Sequence, residues 1–283
     1  MPIIDAQLHA YERNRPERPW HAALTGPAEA TGEQTVAILD AAGVDGAILV
    51  SAFTMYRYDA SYALEVRKRY PTRFALVKPV DPANPAVADV IADWKRAPGA
   101  VGVRMLLVRS GLATDAADPG LNRVLKEAGR QSLPVNLHIA GRLDQGIELI
   151  RRNPDTQIIV DHLGLVQPHA PPLPQQPWAE LPKVLTLAML PHVAIKITGA
   201  CTLSREEFPY NDIWDPVCRI IDAFGIDRCM WGTDWTRAVK FLTYAQGVDA
   251  FRVTNRISDG DKAKLMGGTA ARLYGWAPRP AMS

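Results

Sequence analysis

Pro2-Ile3-Ile4-Asp5-Ala6-Gln7-Leu8-His9 decides how the rest of the chain is read. It is a short, nearly continuous apolar run of the kind that forms a strand covered on both faces. It ends not in a glycine-rich phosphate loop but in Gln-Leu-His. Similar runs recur at residues 46–51, 74–80, 100–106, 134–138, 157–161, 193–198 and 229–232, each followed by a segment long enough for a helix. Eight βα units make either an open doubly wound sheet or a closed barrel. The open sheet ordinarily carries GxGxxG or a Walker sequence after an early strand, and none occurs here. The expectation is a single-domain (β/α)₈ TIM barrel over residues 1–283, a size that fits the roughly 250 residues such a barrel takes.

Local signals agree. Thr31-Gly32-Glu33-Gln34 reads as a capping box opening a helix that stops before Gly43. Ser258 is placed to cap the last helix, with Ala263, Leu265, Met266, Ala270 and Leu273 on its apolar face. The Pro-rich stretch 167–178 follows the sixth strand, where a stiff loop would lie over the barrel mouth. Thirty-two basic and thirty acidic residues leave a net charge of +2 without charged blocks, which argues against nucleic acid. Three cysteines without CxxC spacing suggest neither a disulfide framework nor a thiolate metal cluster. With no signal-like or membrane-spanning apolar run, the expected setting is the cytoplasm.

In such a barrel the chemistry sits where strands end. Gln7 and His9 close the first strand, Arg104 the fourth, His138 the fifth and Asp161-His162 the sixth; Lys196 interrupts the seventh and Asp234 follows the eighth. One histidine at a strand end is ordinarily a hydrogen-bonded structural residue. Three of six histidines and an aspartate, converging from four strands, are better explained as a site.

Asp5-Ala6-Gln7-Leu8-His9 resembles the DxHxH opening of the amidohydrolase superfamily. Val160-Asp161-His162-Leu163-Gly164, Ile195-Lys196-Ile197-Thr198-Gly199, Trp231-Gly232-Thr233-Asp234-Trp235 and the ending from Lys264 to Tyr274 resemble its later signatures. The resemblance spans the chain and is nearest to the amidohydrolase 2 branch, which includes pyrone-dicarboxylate and sugar lactonases and related decarboxylases. It implies a hydrolase opening a small anionic lactone. Asp234 would activate water, while His9, His138, His162 and Arg104 would polarise the carbonyl. Asp5, deeper in the strand, would act as a hydrogen-bonding support.

Gln7 stands where the family pattern has a first histidine, and an amide is a poor metal ligand. A site without metal is therefore favoured; the alternative is one Zn or Mn ion on His9, His138 or His162, and Asp234. Gln7, Arg104, Arg18, Arg57 and Trp235 are the expected substrate-binding residues, within a wider set of loop arginines (Arg13, Arg15, Arg109, Arg237) suited to an anion. Phe53, Tyr56 and Trp178 would add apolar wall. Lys196 is expected to pair with Asp161 or reach the rim, and Cys201 to be a small buried residue. Two rivals remain: a metal-dependent non-oxidative decarboxylase of a small aromatic or unsaturated acid, and a barrel that binds a ligand without turning it over. Apolar surface helices leave a homo-oligomer open.

Overall fold

The computed structural model describes residues 1–23, 25–107 and 115–279, and Arg109 lies outside them. Eight parallel strands follow one another around a barrel: β1 (Ile4–Leu8), β2 (Gly46–Val50), β3 (Phe74–Pro79), β4 (Ala100–Leu106), β5 (Val135–His138), β6 (Ile158–Val160), β7 (Val193–Thr198) and β8 (Cys229–Gly232). All eight expected strands form, three with the expected bounds and the others with ends one or two residues away. The Thr31 capping box is present, with Gln34 answering it, and Ser258 caps the helix Asp259–Ala263. That last helical region continues through a wide turn, Lys264–Gly268, into Thr269–Tyr274. Its Tyr274 hydroxyl donates to Asn136 Oδ1 at 2.7 Å, which places the ring under the barrel floor.

Side chains alternate across each strand, and the inward set is layered. Ile4, Ala6, Ile48, Ala75, Ile159 and Ala194 belong to one apolar cluster in the lower interior. The next inward positions are polar and buried: Arg104, Asn136, Asp161, Lys196 and Thr198. In β1 the alternation is broken. Asp5 pairs with Ala47 but Leu8 with Leu49, three residues against two, a bulge that lets Ala6 and Gln7 both face inward.

The seam between β8 and β1 is closed differently from the other seven. No strand ladder joins them among the described residues; instead Asp234 N donates to Gln7 O at 2.9 Å. The fully buried Asp5 carboxylate bridges the same seam, accepting from Gln7 N (3.0 Å), Thr233 N (3.0 Å), Thr233 Oγ1 (2.6 Å) and Tyr244 OH (3.2 Å). Asp5 thus has the supporting position its depth suggested. No helix among the described residues is long and apolar enough to cross a membrane.

Candidate active site

A cavity of about 890 Å³ opens at the carboxyl-terminal face of the barrel. His9, Arg57, Arg104, His138, His162, Asp234 and Arg237 all line it. They come from the ends or following loops of β1, β2, β4, β5, β6 and β8, so residues far apart in sequence are brought to one mouth by the topology. Gln167 and His169 of the Pro-rich stretch also line it, so that stretch does lie over the mouth.

Asp234 is the centre of the arrangement. It is 1% exposed, in a left-handed conformation (φ 50°), and its side chain does not cap the short helix Trp235–Ala238 that follows. A carboxylate serving only to satisfy loop amides would do so. Oδ2 instead accepts from Arg237 Nε at 2.6 Å and lies 3.6 Å from His162 Nδ1. Oδ1 lies 3.3 Å from His9 Nε2 but has no hydrogen bond of good geometry. Burial alone would push this carboxyl up, but the Arg237 guanidinium and His162 outweigh it and hold it well below the usual range. It is ionised at neutral pH, with one oxygen engaged and one available.

The three histidines are fixed in different ways. His9 Nδ1 lies 2.7 Å from the Val50 carbonyl, which can only accept, so Nδ1 carries the proton and Nε2 is turned to the cavity. His162 Nε2 lies 3.1 Å from Arg104 Nη2, a group that can only donate. The neutral His162 therefore keeps its proton on Nδ1, shared between Thr198 Oγ1 at 3.0 Å and the Asp234 side. His162 and Leu163 are held at positive φ, 53° and 61°, which turns the imidazole over the strand end. His138 packs edge-on to His162, its Nδ1 buried without a partner among the described residues. Burial, reinforced by Arg104, lowers His138 to about 3, and burial takes His162 well below its ordinary value, so both are neutral.

Beneath the cavity floor Lys196, wholly buried, donates to Gln7 Oε1 at 2.7 Å and lies 3.1 Å from Asp161 Oδ1. Asp161 Oδ2 accepts from Arg104 Nε at 2.8 Å. Burial would raise the Asp161 carboxyl, but Lys196 and Arg104 more than reverse it. Lys196 is pushed down by burial and partly restored by Asp161. Three cationic side chains, Lys196, Arg104 and Arg237, thus meet two carboxylates, Asp161 and Asp234. The buried cluster carries a surplus of positive charge.

Three expected substrate-binding residues do not reach the cavity. Gln7 is completely buried below it, its amide oxygen taken by Lys196. Arg18 lies across the Tyr62 ring and is bound to Glu12 and Glu65. Arg13 and Arg15 are likewise spent on Glu29 and Glu12. Trp235 packs edge-on against Tyr244 instead of the cavity. Of the aromatic wall, Phe53 is present with Arg57 stacked on it at 5.3 Å, whereas the Tyr56 hydroxyl accepts from Glu12 N and Trp178 packs on the core. Arg237, among the loop arginines in the sequence, folds back onto the Asp234 carboxylate, and its i,i+3 spacing from Asp234 is the sequence signal for that contact. Cys201 is buried and its thiol is pushed up to about 12, so it is no nucleophile.

A metal fits these residues poorly. Among the described residues no three His, Cys, Asp or Glu side chains are grouped to hold one. Several donor atoms an ion would need are engaged by cations, His162 Nε2 by Arg104, Asp234 Oδ2 by Arg237 and Gln7 Oε1 by Lys196, while His9 Nε2 and Asp234 Oδ1, 3.3 Å apart, are left turned to one another. A divalent ion would also add charge to a cluster already positive.

A barrel that gathers the ionised Asp234 carboxylate, four imidazoles and three guanidiniums at its carboxyl-terminal mouth has the equipment of a hydrolase. The chain belongs to the amidohydrolase family, whose profile matches residues 4–276. It is 26% identical to the 4-sulfomuconolactone hydrolase of Hydrogenophaga intermedia over 240 residues, 85% of this chain and 73% of that one. It is 28% identical over 256 residues to an L-fucono-1,5-lactonase of Burkholderia ambifaria, covering 84% and 82% of the two chains. An amidohydrolase of Burkholderia multivorans, crystallised with zinc bound, shares the fold with a TM-score of 0.82 at 22% identity, over 97% of this chain and 99% of that one.

Proposed function

We propose that the protein hydrolyses a small lactone bearing a negative charge, with Asp234 as the base that activates water and with no metal in the reaction. The observation that carries this reading is the division of labour within one carboxylate: Oδ2 held by Arg237, Oδ1 at the cavity with His9 Nε2 3.3 Å away and no hydrogen bond of good geometry. A water at Oδ1 gives its proton to that oxygen as its own oxygen attacks the lactone carbonyl carbon. The carbonyl π electrons move onto oxygen. Arg104 and His138, both in the cavity wall, are the donors offered to that oxyanion, and the positive surplus of the cluster stabilises it. Collapse breaks the ring C–O bond, and the proton on Asp234 passes to the departing oxygen. Lactone and water become one hydroxy acid.

Arg57 supports the anionic part of the reading. Its guanidinium lines the cavity, lies on Phe53 and has no acidic partner among the described residues, while its backbone is held at φ 53°. A carboxylate or sulfonate away from the reacting carbonyl suits it. The lactone hydrolase names of the sequence relatives support the reaction class. Three unpaired cysteines support a reducing, cytoplasmic setting. The test is to assay the protein, purified without added metal and then treated with chelator, against muconolactones, pyrone dicarboxylate and sugar lactones, following proton release. Chelator-insensitive ring opening is expected. Carbon dioxide release dependent on bound manganese or zinc would replace this reading with the decarboxylase one, and binding without turnover with the ligand-binding one.

A further inference from the structure

We propose that Gln167 is a positioning residue for Asp234, acting through Arg237; this rests on the reading of Asp234 as the base. Gln167 opens the Pro-rich stretch and joins three strand ends. Its amide nitrogen donates to Thr198 O at 2.8 Å, at the end of β7, and to His162 O at 3.2 Å, after β6. Its amide oxygen accepts from Arg237 Nη2 at 2.5 Å, after β8. Arg237 Nη1 donates to the neighbouring Pro168 carbonyl at 3.0 Å, leaving Nε directed at Asp234 Oδ2. The guanidinium is planar, so fixing both terminal nitrogens fixes the direction of Nε. That direction decides which oxygen of Asp234 is occupied and which is left for water.

The surroundings keep room for this contact. Gly199 has φ +69°, and a Cβ there would lie 2.6 Å from Arg237 Nη2 and run into Gln167 Oε1, so any side chain would displace the clamp. The amide is also the right group chemically. It must donate on one side, to two carbonyls, and accept on the other, from a cation, which neither a carboxylate nor an ammonium does. Without Gln167, Arg237 would keep Pro168 but lose the contact that fixes its plane.

The test is a double-mutant cycle of Gln167→Ala and Arg237→Ala, assayed on the lactone the protein turns over fastest. Gln167→Ala alone is expected to lower kcat about 10- to 100-fold with little change in KM, as for a misplaced catalytic group. In the double variant the loss should be no larger than in Arg237→Ala alone, because Gln167 acts through that side chain. Independent, additive losses, or a rise in KM with kcat unchanged, would overturn the proposal. A second measurement needs no substrate and no variant: nitrogen NMR of Arg237 in the unmodified protein. Separate, slowly exchanging Nη signals are expected of a guanidinium held at both ends, and a single averaged signal would overturn the proposal. If no lactone is hydrolysed, the proposed function fails and the NMR result still decides the clamp.

Discussion

Replacing Lys196 by Met keeps much of the side chain's length and removes its charge from the centre of the barrel. The ammonium is 0% exposed, 3.1 Å from Asp161 Oδ1 and 2.7 Å from Gln7 Oε1. At an effective dielectric near 20 the attraction to Asp161 alone is about 5 kcal/mol. Much of that offsets the cost of taking both charges from water, so its gross size is not the expected loss. What counts is the partner left behind: a wholly buried carboxylate keeping Arg104 but losing Lys196, and an amide oxygen losing its donor. Breaking a buried pair this way costs roughly 3–5 kcal/mol, and the remaining Arg104 contact places the expectation near the lower end, about 3 kcal/mol. At about 2–4 °C per kcal/mol for a chain this long, Tm should fall by about 6–12 °C. Urea unfolding should show the midpoint fall with an unchanged slope. Adding Gln7→Leu, which removes the orphaned amide, should recover part of the loss. A Lys196→Met destabilisation below about 1 kcal/mol would refute the claim that this ion pair supports the cavity floor.

Three other outcomes follow from the same contacts. Arg104→Met should lower kcat about 100- to 1,000-fold, the scale of losing one oxyanion donor, in steady-state assays on the preferred lactone. Arg57→Ala should raise KM for anionic lactones while leaving neutral sugar lactones nearly unchanged, a comparison made on one substrate panel. Burial raises the Asp5 carboxyl to about 6 from 3.8, so the folded state binds that proton more tightly. Its contribution to stability is full below pH 3.8 and is lost as pH rises through about 6, a change of at most about 3 kcal/mol. Asp5→Asn removes that dependence, so wild type minus variant stability, measured by urea unfolding, should fall between pH 4 and pH 7.

The barrel was legible because buried parallel strands leave a strong local mark: short apolar runs at regular spacing, each closed by a polar residue. Arg104, His138, His162 and Asp234 could be found for the same reason, since the fold sends every strand end to one mouth. Failures came where contacts are made by loops. Arg18 lies in a loop that also holds Glu12, and its second partner, Glu65, comes from a helix 47 residues away, so no local pattern distinguishes it from the cavity-lining Arg57. Gln7 does share an inward face with His9, but the bulge and the Lys196 ammonium hold it one layer lower, a consequence of pairing between residues 189 positions apart. Gln167 gave no signal because its three partners sit on β6, β7 and β8 connections that only the closed barrel brings together.

The central claim is that the free oxygen of Asp234 activates water in a site that works without metal, and the most direct measurement is lactone hydrolysis by metal-free wild type and by Asp234→Asn. Ring opening is expected to survive chelation in the wild type and to fall by about 100- to 10,000-fold in the variant, the scale of losing a catalytic base, while the variant stays folded. Wild-type activity restored only by adding metal after chelation, or an Asp234→Asn variant that still opens the ring at a comparable rate, would contradict it.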